Sequence, residues 1–355
     1  MKNDMKIIIL AGGAGKRLWP ISSKEYPKQF LKIFDNESLF QKTILRFEKF
    51  DYLDEIVVVI NEDHLKIIRD QIAEIGFEKK VKILIEPKRK NTAPAILFAI
   101  KSLKESKQID EKTNLLILPS DHLIFPKEKF LSYLENLKKQ VLDKIVIFGI
   151  RPSRIETGYG HIEIGKNIEG QNKDNLYEVK KFIEKPEFKI AKKLFLSEKY
   201  LWNAGMFLFT EKVIFNELKK CNLDLHKFYQ MSFDKFLKNF SKIPKISIDY
   251  ALIEKTKNIS VCPIDVSWSD VGSWDSIYDV MQKDDNANVT KGNVLTLNTK
   301  NSLIFAKKKL ISTMGLENII LVETDDAIFL AKKGESQKIK DLIDKMLKKK
   351  SKGSF

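Results

Sequence analysis

The sequence predicts a doubly wound, Rossmann-like α/β fold with a mixed sheet, followed by a small C-terminal β domain and a closing helix. Three observations lead there. Short β-branched apolar runs recur through the first half, helical patterns lie between them, and after KDDNANVTKGN the chain changes to short strands with frequent turn residues. Continuous apolar runs suit strands buried on both faces of a parallel sheet. Strand–helix alternation argues for helices layered on such a sheet.

The strand-like runs are KIIILA (6–11), EIVVVI (55–60), VKILIEP (81–87), NLLILPSD (114–121) and KIVIFGI (144–150). Of the helical stretches, SLFQKTILRFEKF opens with Ser38 as a capping residue. NTAPAILFAIKSL carries Pro94 in its first turn, where a missing N–H is tolerated. The middle, about 151–285, is less regular. YGHIEIG, YEVKKFIEKP, GMFLFT and ISVCPIDV read as strands, and EFKIAKKLFL, EKVIFNELKKC and DYALIEKT as helices. From GNVLTLNTK to DAIFLAKK the chain reads as short strands, and ESQKIKDLIDKMLKK as the terminal helix. Two domains follow, 1–285 and 286–355, the second β-helix-like, in keeping with about 100–200 residues per domain.

Lys and Arg number 63 against 48 Asp and Glu, a net charge of +15. The excess is mostly lysine spread along the chain, densest in the tail KMLKKKSKGSF. Zinc-ligand spacing and RNA-binding signatures are both missing, so a nucleic-acid partner is not expected, whereas acidic substrates are compatible with the charge. No run reaches the ~18 apolar residues of a membrane span, so no membrane partner is expected. The start MKNDMKIIILAGG lacks a secretory pattern. The two cysteines are too few for a disulfide framework. The expected compartment is a reducing cytoplasm.

The segment LAGGAGKRLWP (10–20) follows the first strand and combines three glycines with Lys16 and Arg17. Glycines let backbone N–H groups approach phosphate oxygens, and a loop at the carboxyl end of a strand lies where ligands bind in open α/β sheets. It fits neither common template. GxxxxGK[ST] would need glycine where Leu10 stands and Ser or Thr where Arg17 stands. GxGxxG from Gly13 would need glycine in place of Leu18.

LAGGAGKRLWPISSKEYPKQFL instead resembles the signature of the sugar-1-phosphate nucleotidyltransferases, GGxGxRLxPxxxxxPK. Its RLWP and PKQFL elements are similar to those of the mannose-1-phosphate guanylyltransferases, or GDP-mannose pyrophosphorylases. Further motifs follow in that family's order over about residues 6–335. The resemblance implies a fold of the nucleotide-diphospho-sugar transferase type. It also implies a reaction: mannose 1-phosphate attacks the α-phosphorus of GTP in line, with Mg²⁺, giving GDP-mannose and pyrophosphate. The nucleophile is already ionised, so catalysis would be mostly alignment and electrostatics.

The resemblance assigns to the nucleotide Leu10, Ala11, Gly12, Gly13, Gly15, Arg17 and Lys28, then Asn91, Thr92 and Ala95 of PKRKNTAPAI, and Ser120 and Asp121 of LPSDH. Arg17, Lys28, Asp121 and Asp270 of WSDVGSWD are the implied catalytic residues. Asp121 and Asp270 would hold Mg²⁺, whose preference for oxygen ligands suits carboxylates. Such a metal disfavours imidazole, so His122 is expected to be structural. The sugar phosphate would meet Gly158, Tyr159 and Gly160 of ETGYGHI, Glu184 and Lys185 of KFIEKP, and Asn203 and Gly205 of WNAGMFLF. Asp249 of IDYALIEK is either a polar contact or a helix-start residue. Lys90 stands where the family usually has arginine, and an ammonium does not replace a bidentate fork.

Two other readings stand beside this one. A member of the same family could use a different nucleotide or another hexose or heptose 1-phosphate. A non-catalytic binding protein on the same fold is opposed by the retention of Arg17, Lys28, Asp121, Lys185 and Asp270. The C-terminal β segment would serve packing or oligomer contact, with a homodimer expected. The chain stops near 355, short of the cupin-like isomerase domain that some family members carry, so no isomerase activity is expected.

Overall fold

The computed structural model describes residues 5–13, 16–50, 55–138, 143–168 and 175–350. Its strands begin with β1 (Met5–Leu10), β2 (Ile56–Ile60), β3 (Val81–Ile85), β4 (Asn114–Pro119) and the short β5 (Leu123–Phe125). They continue with β6 (Ile145–Ile150), β7 (His161–Asn167), β8 (Tyr177–Ile183), β9 (Tyr200–Thr210) and β10 (Ile259–Pro263). All but β5 form one nine-stranded sheet in the order β3-β2-β1-β4-β9-β6-β10-β8-β7. The first four run parallel, as their largely apolar sequences predict. β9 lies antiparallel to both β4 and β6, which makes the sheet mixed.

The first three helices are α1 (Leu39–Leu45), α2 (Leu65–Glu74) and α3 (Thr92–Glu105). The expected cap is present: Gln41 N donates to Ser38 Oγ at 3.1 Å and Ser38 N to Gln41 Oε1 at 2.9 Å. Helix α3 buries Ala93, Ile96, Leu97 and Ile100 in a core shared with β1, β2 and β4. One segment departs from expectation. Asp249–Ile253 of DYALIEKT forms a single π turn rather than an α-helix.

The chain separates into two compact units. Unit 1 comprises 1–12, 43–120 and 124–268 and contains the nine-stranded sheet. Unit 2 comprises 13–42, 121–123 and 269–355. After β11 (Ser267–Ser269), unit 2 carries β12 (Val289–Lys291), β13 (Val294–Leu297) and β14 (Leu303–Phe305). Then come β15 (Ile311–Met314), β16 (Ile319–Glu323), β17 (Ile328–Lys332) and the terminal helix Ile339–Lys350. Parallel pairing of β12, β14 and β16 stacks Val289, Leu303 and Ile320 as buried rungs, with β13 and β15 as a second parallel pair. These compact units divide the chain differently from a linear cut at 285/286. The reason is a shared core, in which Leu18, Leu31, Ile33 and Leu39 pack with Trp274, Val289, Leu303 and Ile320. Trp274 Nε1 also donates to the Trp19 carbonyl at 2.9 Å.

Within unit 1, Gly149 of β6 admits no side chain, because a Cβ there would stand 2.4 Å from Leu201 Cδ1 and 2.9 Å from Val261 Cγ2. Gly149→Ala should therefore destabilise the protein by about 1–3 kcal/mol through overpacking, measured as a lower urea midpoint at unchanged m-value. An unshifted midpoint would show that β9 and β10 yield freely.

Candidate active site

In unit 1 the strand order reverses at β1 and β4, the position where open α/β sheets bind ligands beyond the strand ends. Leu10 pairs with Pro119, and Ser120 N donates to the Leu10 carbonyl at 3.2 Å. Ala11 N donates to Val59 O at 2.8 Å, leaving Gly12 at the carboxyl end of the strand. Asn91 adopts a positive φ of 72° and accepts from Thr92 N at 2.8 Å, so it starts α3. Thr92 Oγ1 in turn accepts from Ile248 N at 2.9 Å. Ala95, assigned to the nucleotide from the sequence, is buried in the main core, where its methyl serves packing. Lys90 donates to the Ser241 carbonyl at 2.6 Å and acts there as a tether.

Sequence reasoning passed over Glu86. Its carboxylate oxygen lies 3.0 Å from where a Cβ on Gly12 would sit, and it has no side-chain hydrogen bond among the described residues. Burial pushes its carboxyl up to about 7, although the Arg89 guanidinium opposes the shift. Arg89 itself reaches His64 Nε2 at 3.3 Å and Asp63 at 3.4 Å. A single glutamate after a strand carries no sequence signal, so Glu86 becomes visible only through its neighbours.

The sugar-side motifs converge within unit 1. Glu156 Oε1 accepts from Thr157 N and Gly158 N, at 3.0 and 2.9 Å, and shapes the turn ahead of Tyr159. Tyr159 sits edge-on to Trp202 and Trp268, with ring centroids 5.3 and 5.1 Å away. Its carbonyl accepts from Lys185 N at 3.3 Å and lies 3.1 Å from His161 Nδ1, while Gly160 O accepts from Asn203 N at 2.8 Å. These bonds bring ETGYGH, IEKP and WNAG together. Gly160 is sterically required, because a Cβ would stand 2.7 Å from both Glu184 Oε2 and Phe182 Cζ. Asn203 Oδ1 accepts from Gly205 N at 3.1 Å, and its Nδ2 donates to Asp249 Oδ1 at 3.0 Å. Lys185 Nζ pairs with Glu184 Oε1.

Unit 2 gathers the phosphate and metal candidates. Gln29 Nε2 donates to the Gly13 carbonyl at 2.9 Å and thereby shapes the loop. Lys28 is buried, and its ammonium donates to the Asp270 carbonyl at 2.5 Å and pairs with Asp121 Oδ2 at 2.9 Å. Burial disfavours ionisation of Asp121, but the charge of Lys28, then that of His122, outweighs it and holds the carboxyl below the usual range. Asp270 Oδ1 accepts from Gly272 N at 3.0 Å. Arg17 lies exposed in a single 3₁₀ turn, with no ion-pair partner among the described residues. Gly15 lies outside the described residues. The Asp121 carboxylate and the Asp270 backbone carbonyl meet on one ammonium, and the oxygen donors of these two aspartates are of the type that Mg²⁺ prefers. His122 remains 4.0 Å from Asp121 and adds no oxygen donor. No cluster of three or more His, Cys, Asp or Glu residues with metal-holding geometry occurs among the described residues.

A profile of the Nucleotidyl transferase family matches residues 6–287. The chain belongs to this family. A second profile, the MannoseP isomerase/GMP-like beta-helix domain, matches residues 292–346. This nucleotidyl transferase is 37% identical over 356 residues to mannose-1-phosphate guanylyltransferase 2 of Escherichia coli O157:H7, covering 96% of this chain and 73% of that protein. It is 40% identical over 349 residues to the alginate biosynthesis protein AlgA of Pseudomonas aeruginosa, covering 95% of this chain and 71% of that protein. A crystal structure from Thermus thermophilus, named a mannose-1-phosphate geranyltransferase, has a TM-score of 0.84 at 24% identity, covering 98% of this chain and 99% of that one. That likeness concerns the fold.

The buried Glu86 carboxyl has a measurable consequence for stability. Its folded pKa lies above its ordinary one, so its favourable contribution is complete below the ordinary value and is lost as pH rises through about 7. Glu86→Gln should therefore be more stable than wild type at pH 8 by on the order of 2–3 kcal/mol, with the gap narrowing towards pH 5. Urea titrations at the two pH values check this, and a gap independent of pH would contradict it.

Proposed function

We propose that this chain is a mannose-1-phosphate guanylyltransferase, transferring GMP from GTP to α-D-mannose 1-phosphate. A phosphate oxygen of the sugar 1-phosphate forms a bond to the α-phosphorus, the α–β bridging bond breaks, and pyrophosphate leaves with the electron pair. One observation carries the reading: Lys28 joins Asp121 to the Asp270 backbone, motifs up to 242 residues apart in the chain. The name of the Escherichia coli relative supports the choice of sugar and nucleotide.

Each group has a task in that reaction. Arg17 and the backbone of Gly12 and Gly13 would bind the triphosphate, and Lys28 would hold Asp121 ionised. Asp121 and Asp270 would hold Mg²⁺, which when bound screens charge on the phosphates. Glu86 offers acceptors of the kind that guanine N1–H and its 2-amino group require, and adenine lacks that pair of donors. Lys185 would pair with the sugar's phosphate, while Glu184 and Asn203 would engage its hydroxyls. Among the described residues no helix is long and apolar enough to cross a membrane. Two free thiols, Cys221 and Cys262, suit the cytoplasmic setting proposed here.

An initial-rate panel of nucleoside triphosphates and sugar 1-phosphates tests the reading, with GTP and mannose 1-phosphate expected to give the highest kcat/KM. Preference for another pair would redirect the assignment within the family. Chelation should stop pyrophosphate release, and added Mg²⁺ should restore it. Lys28→Ala should lower kcat by roughly 10²–10³, the scale of losing one preorganised donor.

A further inference from the structure

We propose that Asp249 is a second sugar-reading carboxylate, coupled to Glu184 through Lys185 and Asn203, and that the two carboxyls hold one proton between them when a hexose 1-phosphate binds. This rests on the guanylyltransferase reading for the identity of the sugar, and it goes beyond that reading in the residue and its protonation.

Several independent observations support it. Glu184 Oε2 is buried with no hydrogen-bond partner among the described residues, although Oε1 is engaged by Lys185. Buried acceptors are nearly always satisfied, so this oxygen awaits a donor, and a sugar hydroxyl is one. Asp249 does not order a helix start. The π turn it opens has no side-chain cap, and Oδ1 accepts from Asn203 instead. Isolated π turns occur disproportionately at functional sites. This turn is anchored to the start of α3, where Ile248 N donates to Thr92 Oγ1 at 2.9 Å and Ala93 N to the Ile246 carbonyl at 3.2 Å.

The charges also favour it. The groups facing Asp249 are Glu184, Lys185 and Asn203, and the Tyr250 phenol acts on Lys185. Two carboxylates thus share one ammonium. Neighbouring carboxylates in a dry site do not both ionise readily. Burial first, then the charge of Glu184, raises Asp249 to about 6, against Lys185 and Asn203. An ionised carboxylate only accepts, whereas a protonated carboxyl also donates. One proton on the pair supplies a donor beside acceptors, which matches two neighbouring hydroxyls. It also removes a negative charge from a site that must admit a phosphate.

The test compares wild type with Asp249→Asn, which mimics the protonated carboxyl at every pH. KM for mannose 1-phosphate is measured at saturating GTP from pH 5.5 to 8. Titration of the substrate phosphate is common to both enzymes and cancels in their ratio. The ratio of wild-type to variant KM should rise roughly threefold to tenfold over that range, while the corresponding ratio for GTP stays flat. A flat sugar ratio would overturn the proposal. Asp249→Ala is then compared with wild type on the 2-, 3- and 4-deoxy sugar phosphates. Wild type should discriminate about tenfold or more against the analogue lacking the partner hydroxyl, and the variant should lose discrimination at that position alone. Equal losses for all analogues would mean a merely structural role and would also overturn it. If wild type fails to turn over mannose 1-phosphate and GTP, the guanylyltransferase reading falls. The same pH ratio is then read from calorimetric binding of mannose 1-phosphate, and absence of binding would overturn this proposal too.

Discussion

A carboxylate removed from water must be neutralised, protonated or supplied with donors, and this constraint organises every part of the candidate site. Three solutions coexist. Asp121 is ionised against the Lys28 ammonium. Glu184 and Asp249 share a single lysine and one amide donor, so their combined charge is only partly met. Glu86 has the charge of Arg89 but no side-chain hydrogen bond among the described residues, and it approaches neutrality near physiological pH. The progression from paired to unpaired carboxylate separates groups already satisfied from groups poised to receive a ligand.

β1, β2, β3, β4 and β6 were legible because strands inside a parallel sheet leave continuous apolar runs that little else produces, whereas the three-residue β5 (Leu123–Phe125) is too short to leave one. β9 was legible only in part. It reads as an ordinary strand, and nothing local states that it inserts antiparallel between β4 and β6. Helices at Leu223–Gln230 and Phe233–Asn239 escaped the sequence reading, because each is under three turns and interleaved with polar residues. The site followed the same rule. Lys28, Asp121 and Asp270 could be proposed from motif order, but their contact is a property of the fold. The π turn at Asp249 was invisible because its cause lies in non-local anchors at Thr92 and Ala93.

Linear and spatial organisation differ for a reason visible in the core. The segment after the glycine loop is amphipathic, and its apolar residues Leu18, Leu31, Ile33 and Leu39 are buried with Trp274 and the C-terminal rungs. Trp19 adds an edge-on contact with Phe329, with ring centroids 6.0 Å apart. The residues bearing Arg17 and Lys28 are thus braced by the C-terminal strands of unit 2. The small β domain therefore supports part of the candidate catalytic machinery directly, beyond any role in assembly.

The lysine excess acts at a different range from these local solutions. Many lysines pair with surface acids, such as Lys42 with Asp35 and Lys129 with Asp265, both at 2.5 Å. Exposed pairs of this kind contribute about 0–1 kcal/mol each, so they do not explain a net charge of +15. A field of that sign attracts polyanions and raises encounter rates. Screening confines it to about 8–10 Å at physiological salt, and it does not distinguish one anion from another. Discrimination must therefore come from groups within hydrogen-bonding distance. In unit 1 the candidates are Lys185 beside the acidic or neutral Glu184, Asp249 and Asn203, and Glu86 beside Gly12. In the proposed reaction, selection among anions would therefore rest on these short-range groups, and the incompletely neutralised carboxylates are the ones with acceptors left to offer.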